Sequence, residues 1–295
     1  VAFELKWLRE IDFFPHRPDP ERLGELGSIC IGTKQRSIGD ALAISTLPRK
    51  LKAKFPGLRV TVYPRGFNPV VVANNPAISG VQRLPRAVYG DDAIWGSGHQ
   101  LTLKEEFFGL ETSALPRPEI YLSESEKLWA LGVLPEAERP VCVLHPWGST
   151  RSRVLSTEQW ASIVAASPGW RFWQVGVEGD LRIPGCERAF LMPRKPWEAR
   201  KLFALMSRVQ AFLGCDSGPM HVAAAFSIPS LVFLDHLGAY RDTREVFELR
   251  HREPYFVRQH FRYAVLYEQN EHVNVLRESG HVARRSAEFL EKLLA

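Results

Sequence analysis

The side chains best suited to bind an anion or move a proton fall into a few short segments. The first is CDSGPMHVAAAF, Cys215 to Phe226, with an acid, a hydroxyl and a glycine at Asp216, Ser217 and Gly218, and His221 close behind. It follows the apolar run Ala211 to Gly214, which reads as a strand, and Pro219 suits the first turn of a helix, where its missing N–H is no loss. Amides near Ser217 and Gly218 would then face outward with the positive end of the helix dipole behind them, a site for phosphate or pyrophosphate. Gly218 would let a ligand approach the backbone closely. The Cβ of His221 tilts toward the helix start, which brings its ring within reach of the same anion. A plainer use of Asp216 and Ser217 is to cap the helix. A serine hydrolase is rejected: Cys215 stands two residues before Ser217, so the G-x-S-x-G elbow is absent, and this spacing of acid, hydroxyl and imidazole does not by itself make a relay.

A second segment, HPWGSTRSRVLSTEQW from His145 to Trp160, has the same form: strand end, loop, capped helix. Gly148, Ser149 and Thr150 offer backbone and hydroxyl donors, and Arg151 and Arg153 offer guanidinium forks that suit phosphate oxygens. The Gly-Lys pair of a Walker loop is missing. In a third segment, KQRSIGDALAISTLPRKL, Asp40 opens a helix, where it serves either as a cap or as a carboxylate general base reaching a substrate hydroxyl. A fourth, WQVGVEGD, places Gly176, Glu178 and Asp180 after a strand, where one of the two acids would meet ribose hydroxyls.

The elements that must position these groups alternate. Ser28 to Gly32 and Arg59 to Pro64 read as strands around a helix expected over Ala41 to Phe55. From Gly90 to Pro118 the pattern reads as loops and linker. Ser123 to Pro140 reads as a connecting helix and turn, with Ser123 and Glu126 as a capping box. From Val141 onward strand and helix succeed each other regularly, with Ser156 as one N-cap. The helices there are STEQWASIVAAS, KPWEARKLFALMSRV and PMHVAAAF, then ARRSAEFLEKLL at the end of the chain, after an aromatic, basic stretch. The pattern predicts an α/β architecture: a 1–27 extension, a Rossmann-like domain over 28–122, a linker helix over 123–140 and a second Rossmann-like domain over 141–295. The sites above would gather at the carboxyl ends of the strands, with Asp40 reaching across a central cleft.

Of the 295 residues 45% are hydrophobic and 24% charged, which excludes a disordered chain. The net charge of +5 favours an anionic partner: a nucleotide, a phosphorylated glycan or a lipid surface. The arginines are scattered without a groove-reading motif, so a nucleic-acid partner is not expected. Four separated cysteines give no zinc or disulfide framework and suit a reducing cytoplasm. No apolar run would cross a bilayer and no secretory pattern opens the chain, so the expected location is cytoplasmic, with peripheral contact at the inner membrane left open.

Taken together, IGD, GSTR, the glycine-and-acid turn ending at Asp180, and above all DSGPMH resemble glycosyltransferase family 9, the ADP-heptose heptosyltransferases of lipopolysaccharide core assembly. The resemblance implies a GT-B fold of two Rossmann-like domains facing a cleft, the first one shortened here between Leu84 and Pro118. It implies an inverting, metal-independent glycosyltransferase with Asp40 as general base. Donor binding would fall to Ser149, Thr150, Arg153, Gly176, Asp180, Asp216, Ser217, Gly218 and His221. Arg153 stands where the family carries lysine. The implied partners are a nucleotide-diphosphate sugar, with ADP-heptose favoured, and a glycan or lipid-linked acceptor. A nucleotide-sugar epimerase and a non-catalytic nucleotide-sugar-binding protein are the alternatives.

Overall fold

A computed structural model describes residues 12–13, 19, 22–34, 36–83, 85, 87–90, 100–112, 117–135, 139–147, 155–193, 195–215, 217–233, 263–266 and 279–295. The chain divides into two compact units, Val1–Ser123 and Glu124–Ala295.

The first unit is built on parallel strands. β1 (Asp12–Phe13) lies in the stretch expected as an irregular extension. β2 (Ser28–Ile31) and β3 (Arg59–Val62) are followed by the short β4 (Gly80–Val81) and β5 (Ala87–Val88). The order β2-β3-β4 forms one ladder and β1-β5 another. A parallel bridge between Ile31 and Tyr89 joins the two. Every strand is parallel because each return is made by a helix or loop over the sheet.

The helix expected over Ala41 to Phe55 is two helices, α1 (Ile38–Leu42) and α2 (Leu47–Lys54). Pro48 supplies the reason: proline disfavours a helical residue before it and fits only the first turn of a new helix. Asp40 does not open α1. Ser37 is the N-cap, its Oγ accepting from the Asp40 amide at 3.1 Å, and Asp40 sits within the first turn.

After α3 (Asn68–Val71), the stretch expected as loop and linker contains α4, Gln100–Phe107. Two charged residues hid it, because both are buried. Glu105 is fully enclosed and accepts from Thr46 Oγ1 at 2.8 Å and Lys50 Nζ at 2.7 Å. Lys104, also enclosed, donates to the Gly90 carbonyl at 2.6 Å. Apolar periodicity is a poor guide to a helix whose inward positions carry paired charges.

The second unit opens with α5 (Glu124–Val133), which packs on α7 (Ala199–Met206). Arg200 clamps Glu126 there with two bonds, at 2.6 and 2.7 Å. Its sheet holds β6 (Val141–His145), β7 (Arg171–Val177), β8 (Arg188–Met192), β9 (Ala211–Cys215), β10 (Ser230–Phe233) and β11 (Tyr263–Leu266). All five pairings are parallel, in the order β11-β10-β9-β6-β7-β8. Numbered within the unit this is 3-2-1-4-5-6, the Rossmann order.

β8 and β11 were not distinguished in the sequence. β8 is an edge strand whose residues Arg188–Leu191 are only partly covered, so it lacks the solid apolar run of a buried parallel strand. The central strands β6, β9 and β10 are buried throughout. Cys142, Leu144, Leu213, Leu231 and Phe233 join one core cluster with Trp160 and Ile163 of α6 (Thr157–Ala165) and Val282 and Leu290 of α9 (Ser279–Glu291). Trp160 meets Phe233 edge-on, with centroids 5.3 Å apart. The alternate residues Val143, Phe212 and Val232 are equally buried, as a sheet covered on both sides requires.

Replacing Glu105 by alanine leaves Lys50 and Thr46 without this partner in a closed interior. The expected cost is about 3 kcal/mol of unfolding free energy, the scale for breaking a buried ion pair from one side. Urea denaturation checks it, and a loss below about 1 kcal/mol, the scale of an exposed pair, would contradict the account.

Candidate functional site

In the order 3-2-1-4-5-6 the chain leaves β6 in one direction to make β7 and β8, then crosses back to β9 on the other side. Ligands of such sheets bind at the carboxyl ends of the two strands that flank this reversal. Here those ends are His145 and Cys215, and the register pairs His145 with Gly214. A Cβ on Gly214 would run into the Phe212 ring and lie 3.1 Å from the His145 carbonyl, so a side chain here would displace that ring and crowd the end of β6.

Beyond β9 the chain turns into α8, Gly218–Ala225, with Ser217 at the N-cap and Pro219 in the first turn. The Ser217 side chain makes no cap hydrogen bond. Its Oγ lies 2.8 Å from His145 Nδ1 and 3.1 Å from the Cys215 carbonyl, to which it donates. For Ser217 the plain helix-cap reading therefore fails: its hydroxyl is turned across the switch point toward β6. Gly218 and His221 are half-buried in the first turn of α8. The helix continues into Met220, Val222, Ala223 and Ala224, all buried, which anchors its start against the sheet.

His145 is the residue that the sequence did not single out. It lies inside the quoted HPWGSTR segment as the last residue of β6, and the available signal was its position at a strand end followed by Pro146. It is 8% exposed, and burial pushes its pKa from the ordinary 6.5 down to about 4. The ring is therefore neutral at pH 7. Cys215 Sγ lies 3.9 Å from the same Nδ1 and 3.6 Å from the His145 carbonyl.

At the end of β7 the chain makes a tight turn from Val177 to Asp180, directly after Gly176. Asp180 Oδ2 accepts from the Val177 amide at 2.8 Å, and the Asp180 amide donates back to the Val177 carbonyl at 3.0 Å. A side chain at position 176 would collide with that carboxylate. Glu178 is exposed. In the first unit Asp40 is half-buried, and its Oδ2 accepts a short hydrogen bond from the Ser37 hydroxyl. Ser149, Thr150, Arg151, Arg153 and Asp216 lie outside the described residues, as does Gly148. Ser156 caps α6 just after that loop, with a reciprocal bond from its amide to the Gln159 side chain at 2.8 Å. Among the described residues no three His, Cys, Asp or Glu side chains cluster as metal ligands, and no helix is long and apolar enough to cross a membrane. The four cysteines are free thiols; burial raises Cys30 to about 11 and Cys186 to about 12, which leaves both protonated and unreactive.

Comparison with known proteins bears directly on this site. Residues 183–248, which span β8 to the DSGPMH turn and β10, match the model of glycosyltransferase family 9 (heptosyltransferase). No curated protein sequence matches the chain significantly. Among solved structures, a glycosyl transferase family 9 protein from Veillonella parvula DSM 2008 superposes with a TM-score of 0.62 at 13% identity, covering 90% of this chain and 96% of that one. E. coli ADP-heptose LPS heptosyltransferase II gives 0.61 at 15% identity, covering 91% and 99%. E. coli heptosyltransferase WaaC with ADP gives 0.59 at 12% identity, covering 90% and 99%. The fold is GT-B. The expected likeness to family 9 is borne out, and the family model falls on the half of the GT-B chain that carries the switch point. The first unit holds a parallel sheet and helices, and α4 lies in the stretch that was read as loop and linker.

Burial of His145 makes the second unit acid-sensitive. An unfolded chain takes up this proton near pH 6.5, whereas the folded chain takes it up only near pH 4. The unfolded state binds more protons in between, so the contribution is intact above pH 6.5 and lost progressively as pH falls to 4. At the size of this shift the loss is about 3 kcal/mol. Urea unfolding at pH 7 and pH 4 should show a steeper decline for wild type than for His145→Asn; parallel declines would contradict the assignment.

Proposed function

We propose that this protein is an inverting, metal-independent glycosyltransferase that moves a sugar, heptose from ADP-heptose in the favoured form, to a hydroxyl of a lipopolysaccharide-type glycan or lipid-linked acceptor. The observation that carries the reading is the convergence of His145 and the Ser217 hydroxyl at the strand-order reversal, with Ser217, at the start of α8, lying within the segment matched by the family 9 model. The TM-scores near 0.6 over nine-tenths of the chain, against proteins named as ADP-heptose transferases or solved with ADP, support a nucleotide-sugar donor.

In this reading the donor diphosphate lies against the start of α8. The amides of Ser217 and Gly218, the Ser217 hydroxyl and His221 bind its oxygens, where the helix dipole favours negative charge. Arg153, Ser149 and Thr150 reach it from the loop after β6, and their charge and hydroxyls take the place that a metal ion fills in other transferases. Asp216 orients sugar hydroxyls. Gly176 and Asp180 shape the ribose side, with Asp180 meeting it through the oxygen not bonded to Val177.

Asp40 acts as general base. Ser37 steadies Oδ2, and Oδ1 takes the proton of the acceptor hydroxyl. The acceptor oxygen attacks the anomeric carbon from the side opposite the diphosphate, and the carbon–oxygen bond to phosphate breaks with its electron pair leaving on ADP. One new glycosidic bond forms with inverted configuration. The growing charge on the leaving diphosphate meets donors already in place, which is where such a site lowers the barrier. The protein works in the cytoplasm, and its basic excess suits an acceptor embedded at the inner membrane surface.

Calorimetry with ADP and UDP on wild type and Arg153→Ala tests the donor site. ADP binding, weaker toward UDP and reduced at least tenfold in the variant, is the expected result; that factor corresponds to about 1.4 kcal/mol, low for a charge-assisted phosphate contact. Binding of neither nucleotide would overturn the donor-site reading. Asp40→Asn should retain ADP affinity while transfer from ADP-heptose to an inner-core acceptor falls about 10²–10⁴-fold. Unchanged transfer would remove Asp40 from the mechanism.

A further inference from the structure

The two hydrogen bonds of Ser217 bear on a proton that the family likeness does not address. Ser217 Oγ has one proton, and its two contacts are a carbonyl oxygen, Cys215 O at 3.1 Å, and a ring nitrogen, His145 Nδ1 at 2.8 Å. A carbonyl can only accept, so the hydroxyl proton belongs to that bond. With the proton there, the bond to the imidazole runs the other way, with Nδ1–H donating into the serine oxygen. We infer that His145 is a positioning residue, held as the Nδ1–H tautomer, which anchors the Ser217 oxygen and leaves its hydroxyl proton as the movable donor for the diphosphate of the sugar nucleotide.

The alternative tautomer has the opposite consequence. With the proton on Nε2, Nδ1 accepts from Ser217, the hydroxyl proton is consumed between the two strands, and the serine lone pairs face the incoming phosphate. That arrangement repels the ligand. With Nδ1–H donating, the oxygen stays fixed while its proton swings from the Cys215 carbonyl to a phosphate oxygen. A neutral imidazole suits this task, because its own burial leaves no charge to be compensated when the donor is absent. The position is enforced by the fold: His145 closes β6, Ser217 follows β9, and the register sets His145 beside Gly214, where a side chain would crowd its carbonyl.

This inference rests on the proposed donor site, and two measurements separate the two claims. Nitrogen-15 NMR of histidine-labelled wild type reads the tautomer directly; a protonated Nδ1 with a bare Nε2 for His145 is expected, and a protonated Nε2 overturns the inference. Calorimetry with ADP then compares variants. Ser217→Ala and His145→Leu should each weaken binding about tenfold, the scale of one hydrogen bond to a charged group. The double variant should be no weaker than Ser217→Ala alone, because His145 acts through the serine. In His145→Asn a side-chain N–H stands near the place of Nδ1–H, and affinity should return to within about threefold of wild type, roughly half of that tenfold loss on a logarithmic scale. Additive losses in the double variant, or no rescue by asparagine, overturn the positioning role while leaving the donor site standing. A wild type that tumbles as a folded protein and binds no ADP overturns both.

Discussion

The second unit depends on one constraint: β6 and β9 must run side by side, parallel, at the centre of a sheet covered on both faces. Cys142 to His145 pair with Ala211 to Gly214 in unbroken register. Both strands are apolar and fully enclosed, so a slip of one residue would exchange the two buried faces and break the ladder at once. The register fixes where each strand stops, and the stopping points bring His145 and Ser217 within hydrogen-bond distance. The chemistry proposed for the site inherits its precision from sheet packing, in which Trp160, Phe233, Val282 and Leu290 hold the β6–β9 pair from one side.

The first unit solves a different problem. Its strands are short, and its core contains buried charge: Glu105 with Lys50 and Thr46, and Lys104 on the Gly90 carbonyl. Lys50 also donates to the Glu111 carbonyl, and Arg49 Nε donates to the Glu119 carboxylate, so α2 is tied to the chain on both sides of residues 113–116. Paired in this way, buried ions specify one arrangement more than they add stability. A small sheet that must hold α1, with Asp40 in its first turn, gains from such directional contacts where apolar area is limited.

How much of this could be read in advance follows from the same physics. The alternation from Val141 to Phe233 was legible because buried parallel strands are solid apolar runs and the helices between them carry caps such as Ser156. The start of α8 was legible because Pro219 has a local backbone reason to stand in a first helical turn. α4 was not, since its inward positions are charged. Neither were β8, half-covered at an edge, and β11, set in an aromatic, basic stretch. His145 escaped because its importance comes from a partner 72 residues away in sequence, and no local pattern announces a contact made by strand order. The place of Asp40 in its helix was misjudged, because Ser37 three residues earlier outcompetes it as the cap.

The claim at the centre of this account is that a nucleotide diphosphate binds where β6 and β9 end. Backbone amide NMR with ADP, and with adenosine as a control lacking phosphate, tests it most directly. The account predicts that ADP shifts the amides of Ser217, Gly218 and His145 in a saturable manner, and that adenosine leaves those three in place. ADP shifts confined to other strands, with those three amides unmoved, would contradict it.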